Sequence, residues 1–244
     1  MTVSAEPIPS GFRAPEGVRI YAIGDIHGRA DLLKEKLAAI AADLAARPGV
    51  DALRVFIGDY IDRGRDSRGV VDTLIELGRE ERCVFLRGNH EAYALDFPHN
   101  PKIMPIWGGL GGRETLASYG IASSPEPDPA ESLRLANAFA RAMPDSHHDF
   151  YRNLVLSHTA GGLYFVHAGV RPGISLEAQS AADRTWIRHE FLNHEGLFEK
   201  LIIHGHTPAA EPEIKPNRIN IDTRAFSTGR LTCIWLEGGH FGFI

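Results

Sequence analysis

The stretch IYAIGDIHGRADLL, residues 20–33, decides the fold. With Val18 and Arg19 before it, its first half, VRIYAIG (18–24), is an apolar run rich in β-branched and aromatic residues, which predicts a buried strand. Asp25 and His27 follow, two apart and just before Gly28. Leu33, Leu37, Ile40, Ala41 and Leu44 then recur at helical spacing until RPG (47–49) ends the pattern. The same alternation repeats: ALRVFIG (52–58) predicts a strand, SRGVVDTLIELGRE (67–80) a helix and RCVFLRG (82–88) a third strand. Strand, helix, strand, helix, strand implies parallel pairing with right-handed crossovers. In such sheets ligands gather at the carboxyl ends of the strands. Those ends read GDIHG (24–28), GDYIDRG (58–64) and GNHE (88–91), each opening with glycine and a polar residue able to hold a metal. One Asp-x-His is an ordinary surface turn; three such clusters at successive strand ends predict one shared site. GGLYFVHAGVRPG (161–173) and KLIIHGHTP (200–208) add two more apolar runs, and put His167 and His206 where a strand runs out.

Composition narrows the partners. The chain has 244 residues, is 43% hydrophobic, and carries a formal net charge of −5. Neither nucleic acid nor an anionic membrane is an expected partner, so any phosphate recognition must be local. Cys83 and Cys233 lie far apart inside apolar runs and read as reduced core thiols. The N-terminus, MTVSAEPIPSGFRAPEG, lacks the basic start and apolar middle of a signal peptide, and no apolar stretch approaches the ~20 residues of a membrane span. The expectation is a cytoplasmic protein with a flexible N-terminal tail (1–17) and one α/β domain (18–244). Oxygen and imidazole donors without thiolate suit Mn, Fe, Zn or Mg. Spacing does not choose among them.

GDIHG, GDYIDRG, GNHE, HAG and HGHTP, in this order, resemble the metal-binding signature of the PPP family of serine/threonine protein phosphatases. GGRETLASYG, TWIRHEFL and PNRINIDT are similar to segments of its small bacterial and bacteriophage members. The resemblance runs from about Val18 to the C-terminus. It implies the calcineurin-like metallophosphoesterase fold, a two-sheet β sandwich flanked by helices, with two divalent metal ions, Mn foremost. It puts Asp25 and His27 on one ion, Asp59 as the bridge, and Asn89, His167 and His206 on the second. A carboxylate suits the bridge because its two oxygens can join cations that otherwise repel. His90 becomes the proton donor, oriented by Asp62, whose charge raises the imidazole pKa. Arg63, Arg87 and Arg188 match phosphate-holding arginines, whose planar fork meets two phosphate oxygens at once.

The implied activity is metal-dependent phosphomonoester hydrolysis, foremost of phosphoserine or phosphothreonine in a protein or peptide, with phosphotyrosine left open. Attack is direct, by a metal-bridging hydroxide, without a phosphoenzyme. Two alternatives stand beside it: a dinucleoside tetraphosphate hydrolase of the same superfamily, and a metal-binding regulatory pseudoenzyme. The full DRG and the GNHE ending favour the phosphatase, since those hydrolases tend to lack the first and to end the third motif in Asp. His90 with Asp62 argues against a pseudoenzyme, which needs no proton donor. His204 competes with His206, because residues two apart on a strand share a face. His99, His147, His148, His158, His189, His194 and His240 have no convergent partner at a strand end. Residues 92–166 read as a helical insertion on the rim, where substrate choice usually lies. Two residues depart from the family pattern: Arg65 replaces a usual proline and Arg224, in NIDTRAF, a usual glycine. A cation at a glycine position reshapes a loop or reaches the substrate.

Overall fold

Arg19 to Ile23 are all buried, which a strand achieves only between two layers; the computed structural model, which describes residues 5–244, shows both layers. Its strands, in chain order, are β1 (Glu6–Pro7), β2 (Val18–Ile23), β3 (Asp51–Phe56), β4 (Cys83–Phe85), β5 (Ser157–Ala160), β6 (Leu163–Val166), β7 (Leu201–His204), β8 (Glu213–Ile214), β9 (Arg218–Asn220), β10 (Cys233–Glu237) and β11 (His240–Phe243). One sheet has the order β1-β11-β10-β2-β3-β4 and the other β5-β6-β7-β9-β8. As expected, β2, β3 and β4 are parallel. So are β6, β7 and β9.

Alternation along the strands divides the core. Ile20, Ala22, Leu53 and Val55 meet Leu163, Phe165, Leu201 and Ile203 between the sheets. Tyr21, Ile23 and Phe56 face the other way, onto Leu33, Ile40, Val70 and Leu74 of the helices Ala30–Ala45 and Ser67–Glu80. On the far side, Tyr164, Val166 and Ile202 pack under Leu176, Ile187 and Phe191. Each such side chain contributes about 1.5–3 kcal/mol on burial. The second helix begins where Asp66 accepts the Gly69 N–H, which fixes the exit angle of the DRG loop. This is the expected α/β architecture, two mixed sheets flanked by helices. Among the described residues no helix is long and apolar enough to cross a membrane.

Two expectations are corrected. Residues 6–14 are not a loose tail: Glu6–Pro7 pair with β11, Ile8 N–H donates to Gly239 O, Ala14 N–H donates to Gly238 O, and Ile8 and Ala14 join the inter-sheet core. Two apolar anchors hold a stretch whose Pro and Gly content suggested none. Residues 1–4 of that tail lie outside the described residues. The rim insertion also ends earlier than 166. Its helices reach Arg152, after which Ser157–Ala160 and Leu163–Val166 pair antiparallel within the second sheet.

Candidate metal centre

The three loops after β2, β3 and β4 meet those after β6 and β7 at one edge of the sandwich. His27 N–H donates to Asp59 O (2.9 Å) and Gly28 N–H to Tyr60 O (2.8 Å), which clamps the first two loops together. Close backbone approach is what the motif glycines permit. A Cβ on Gly88 would lie 2.1 Å from Asp59 Oδ1, and one on Gly205 2.1 Å from Asp25 Oδ1. Of the non-glycine residues at positive φ, His27, Asp59, Asp62, Arg63 and His206 are all expected site residues. A left-handed residue costs about 1–2 kcal/mol, so backbone strain is concentrated where side chains must converge.

Two buried clusters share Asp59: His27, Asp59 and His90 in one, and Asp59, His167 and His206 in the other. His27 Nε2 stands 3.6 Å from Asp59 Oδ2 and His167 Nε2 3.4 Å from Asp59 Oδ1, so the carboxylate offers one oxygen to each side. Asn89 Oδ1 lies 3.1 Å from His167 Nε2. His27 Nδ1 is fixed on Ile61 O (2.8 Å) and His167 Nδ1 on Ile57 O (2.9 Å). Each ring must therefore carry its proton on Nδ1, which leaves Nε2 as a lone-pair donor aimed into the cluster. Burial pushes His27 down to about 3, and holds His167 and His206 below the ordinary imidazole range. Neutral imidazole is the ligating form. Burial raises Asp59, but His167, His90, His27 and His206 around it hold its carboxylate ionised well below the usual range.

Asp25 is outside both clusters. Its Oδ2 accepts the His206 backbone N–H (3.1 Å), while its Oδ1 is buried with no partner. Burial, and the charges of Asp222 and Asp59, push Asp25 up. Buried carboxylates crowded around an orphaned oxygen, with imidazoles presenting lone pairs, fit divalent cations. Gly205→Ala tests that fit. The added methyl displaces Asp25 against an unyielding loop, so about 1–3 kcal/mol of stability and much of the metal content should be lost together. Thermal melting with and without chelator, alongside metal analysis, reads both; a variant with wild-type metal content would dissociate Asp25 from the site.

His90, the third member of the first cluster, is buried, and its Nδ1 is turned to Asp62 Oδ2 at 2.6 Å. Burial opposes its charge, but Asp59 and the Asp62 hydrogen bond outweigh that and push it up to about 9. Arg63 Nη2 lies 3.4 Å from His90 Nε2. Two donors thus point at a common space, where a phosphoryl oxygen would accept both. Arg188 Nε donates to His206 Nε2 (3.1 Å), placing it at the rim of the second cluster. Arg87 makes no hydrogen bond to another site side chain, and its buried Nε has no partner. His204 points elsewhere: its ring sits edge-on to Phe191 and Nδ1 meets Gly205 O. The strand ends at His204 and His206 has φ +62°, so the shared-face rule does not extend to it. His147 is bound between Tyr119 Oη (2.7 Å) and Asp72 Oδ1 (2.8 Å), a helix-packing role.

Several residues had no role in the sequence reading. Glu91 is buried and accepts N–H groups of Asp59, Tyr60 and Gly88, tying the second and third loops. Its place three residues into a helix, after Gly88, is a capping signal that GNHE does carry. Trp107 Nε1 (2.9 Å) and Thr115 Oγ1 (2.5 Å) both donate to Asp62, so the rim insertion braces the His90–Asp62 pair. No local pattern announces them. Arg224 has φ +55° and ψ +51°, the left-handed conformation that explains a usual glycine there.

Residues 18–222 match the calcineurin-like phosphoesterase family. The chain is 28% identical over 235 residues to the asymmetrical bis(5′-nucleosyl)-tetraphosphatase PrpE of Anoxybacillus flavithermus, covering 87% of this chain and 88% of that protein. It is 38% identical to serine/threonine-protein phosphatase 1 of Salmonella typhimurium, over 91 residues that make 37% of this chain and 38% of that one. The crystal structure of a cold-active protein-tyrosine phosphatase from a Shewanella species superposes with a TM-score of 0.55 at 14% identity, over 92% of this chain and 78% of that chain.

Proposed function

The chain belongs to the calcineurin-like phosphoesterase family, and from that premise we propose that it cleaves a bis(5′-nucleosyl) tetraphosphate off-centre, releasing a nucleoside triphosphate and a nucleoside monophosphate. The observation that carries this reading is extent. Likeness to the asymmetrical tetraphosphatase spans 87% of the chain and so takes in the rim segment, whereas likeness to the Salmonella phosphatase stops at 91 residues. Rim segments hold substrate choice and the shared motifs hold chemistry common to both. The cleft beside the metal cluster supports it: about 590 Å3, bordered by Gly28 to Asp31, Arg63 to Asp66 and Phe226. Arg29 there is paired with Asp31, but Arg63 and Arg65 face it with no carboxylate partner. That is room and charge for more than one phosphate.

Two divalent ions held by His27, Asp59, Asn89, His167, His206 and Asp25 would activate water and withdraw charge from the phosphoryl group. The protein's own groups do the rest. Arg63 clamps the phosphoryl oxygens with its fork, and its position beside His90 orients the P–O bond that breaks. His90 Nε2–H supplies the proton to the departing oxygen, while Asp62 accepts from Nδ1 and holds the ring. Trp107 and Thr115 keep Asp62 from turning away.

A second reading, phosphoserine or phosphothreonine hydrolysis, is favoured by that same His90–Asp62 pair. A phosphate leaving group hardly needs an acid, whereas an alkoxide does. The experiment is a comparison of metal-reconstituted protein on diadenosine tetraphosphate and on a phosphoserine peptide. We expect kcat/KM to favour the tetraphosphate by about 100-fold or more, with ATP and AMP as products. Preference for the peptide, or release of two ADP, would overturn the reading.

A further inference from the structure

Phe226 sits in a short turn (Ala225–Thr228) that Arg224 opens at φ +55° and Gly229 closes at φ +71°. This left-handed entry and exit fold the turn back over the metal cluster. The Phe226 ring lies edge-on to His27, with centroids 5.5 Å apart, and the Arg63 guanidinium carbon stands 4.7 Å over its face. The residue is only half-buried. Arg63 and Phe226 together form a ridge between two clefts: the one of about 590 Å3 towards Gly28 and Arg65, and a second of about 390 Å3 towards Gly108–Gly111 and Arg113. Each is within the usual size range of small-molecule sites, and both open beside the reacting centre.

An apolar ring is an odd neighbour for a site that must attract polyanions. It adds nothing to phosphate affinity and shields His27 on one side only. A substrate with a flat aromatic group a few bonds from the phosphate gives that ring a use, since base–aromatic stacking is favourable for every nucleobase. The guanidinium already over the ring is itself a plane on which bases stack. When Arg63 turns its fork to a phosphoryl oxygen, the face it leaves is exposed next to the phosphate chain. We propose that Phe226 is the platform on which a nucleobase of the substrate stacks, with Arg63 joining base and phosphate recognition at the ridge. This rests on the nucleotide substrate named above. It also gives Arg224 a place: a left-handed residue there starts the turn that lifts Phe226 to the ridge. Because stacking reads no hydrogen-bond edge, adenine and guanine nucleotides should be held alike.

The test is equilibrium binding by calorimetry to the metal-reconstituted full chain, with ATP and inorganic tripolyphosphate as probes, for wild type, Phe226→Leu and Phe226→Ala. These probes share a triphosphate and differ by a nucleoside. Wild type should bind ATP about ten-fold more tightly than tripolyphosphate, the scale of one base–aromatic stack. Phe226→Leu keeps apolar bulk against His27 but has no π face, so it should lose that preference as fully as Phe226→Ala, with a far smaller change for tripolyphosphate. A leucine variant that retains the preference would overturn the proposal, as would equal losses for both probes. The outcome is separable from the substrate reading. Cleavage of diadenosine tetraphosphate without any ATP preference sinks the platform alone, and ATP preference without that cleavage supports the platform and sinks the substrate.

Discussion

Asp59→Asn is expected to empty the metal centre and stop turnover. Asp59 is the one side chain common to both buried clusters, with Oδ2 towards His27 and Oδ1 towards His167. The amide removes the charge that two cations share, and replaces one oxygen with a donor facing imidazole lone pairs. Loss of a mere outer partner weakens metal binding by about 10–100-fold, so losing the shared ligand should exceed that. The fold should survive, because the substitution is isosteric and the loop stays pinned through the Asp59 N–H to Glu91. Metal-to-protein ratio after gel filtration, with kcat/KM on an aryl phosphate, measures both effects. Two tightly held ions and near-normal turnover in the variant would remove Asp59 from the bridge.

His90→Asn should separate proton delivery from metal binding. A serine or threonine alkoxide is a strong base, and its expulsion needs a proton in the transition state; general acids of this kind contribute about 10²–10⁴-fold. An aryl phosphate releases a stable phenolate, and a dinucleoside tetraphosphate releases a nucleotide phosphate of low basicity. Turnover of a phosphoserine peptide should therefore fall steeply in the variant, and the other two substrates much less. The comparison belongs on the chemical step, in single turnovers of fully metallated protein, because slow product release would flatten it. Equal loss on all three would make His90 a positioning residue for phosphate, with Asp62 and Trp107 serving only to fix its ring.

Much of this was legible in the chain because burial writes itself into strands. β2 and β3 are buried over Arg19–Ile23 and Leu53–Phe56 and show as apolar runs broken there only by Arg19 and Arg54, and Asp66 ahead of the 67–80 helix is a capping signal with a physical cause. β5 was not legible. Ser157 and His158 are polar and only partly covered and Thr159 is exposed, so SHTA carries no hydrophobic period. The N-terminal pairing was missed for a related reason, since Ile8 and Ala14 are single anchors in a Pro-rich stretch. In the site, residues with metal-capable side chains at strand ends could be picked out, and the structure brings most of them together. What holds them could not be. Trp107 and Thr115 reach Asp62 across 45 and 53 positions of chain, distances at which sequence has no local signature. Substrate is the deeper gap. The five motifs describe phosphoryl chemistry, which is shared, while on the reading proposed above the rim and the turn at Phe226 would select the molecule that carries the phosphate.

The residues that would hold the metal ions come from both sheets, and this bears on how the protein is made. As the chain leaves the ribosome, Asp25, His27, Asp59 and Asn89 emerge first, on the parallel β2-β3-β4 unit. His167 and His206 come much later, on strands that must first assemble a sheet and dock it. A chain that stops before β6 therefore carries four of the six expected ligands and lacks both late imidazoles, His167 and His206. Tight retention of two ions is then expected to mark a chain whose second sheet has docked on the first, and metal analysis would read that without any substrate.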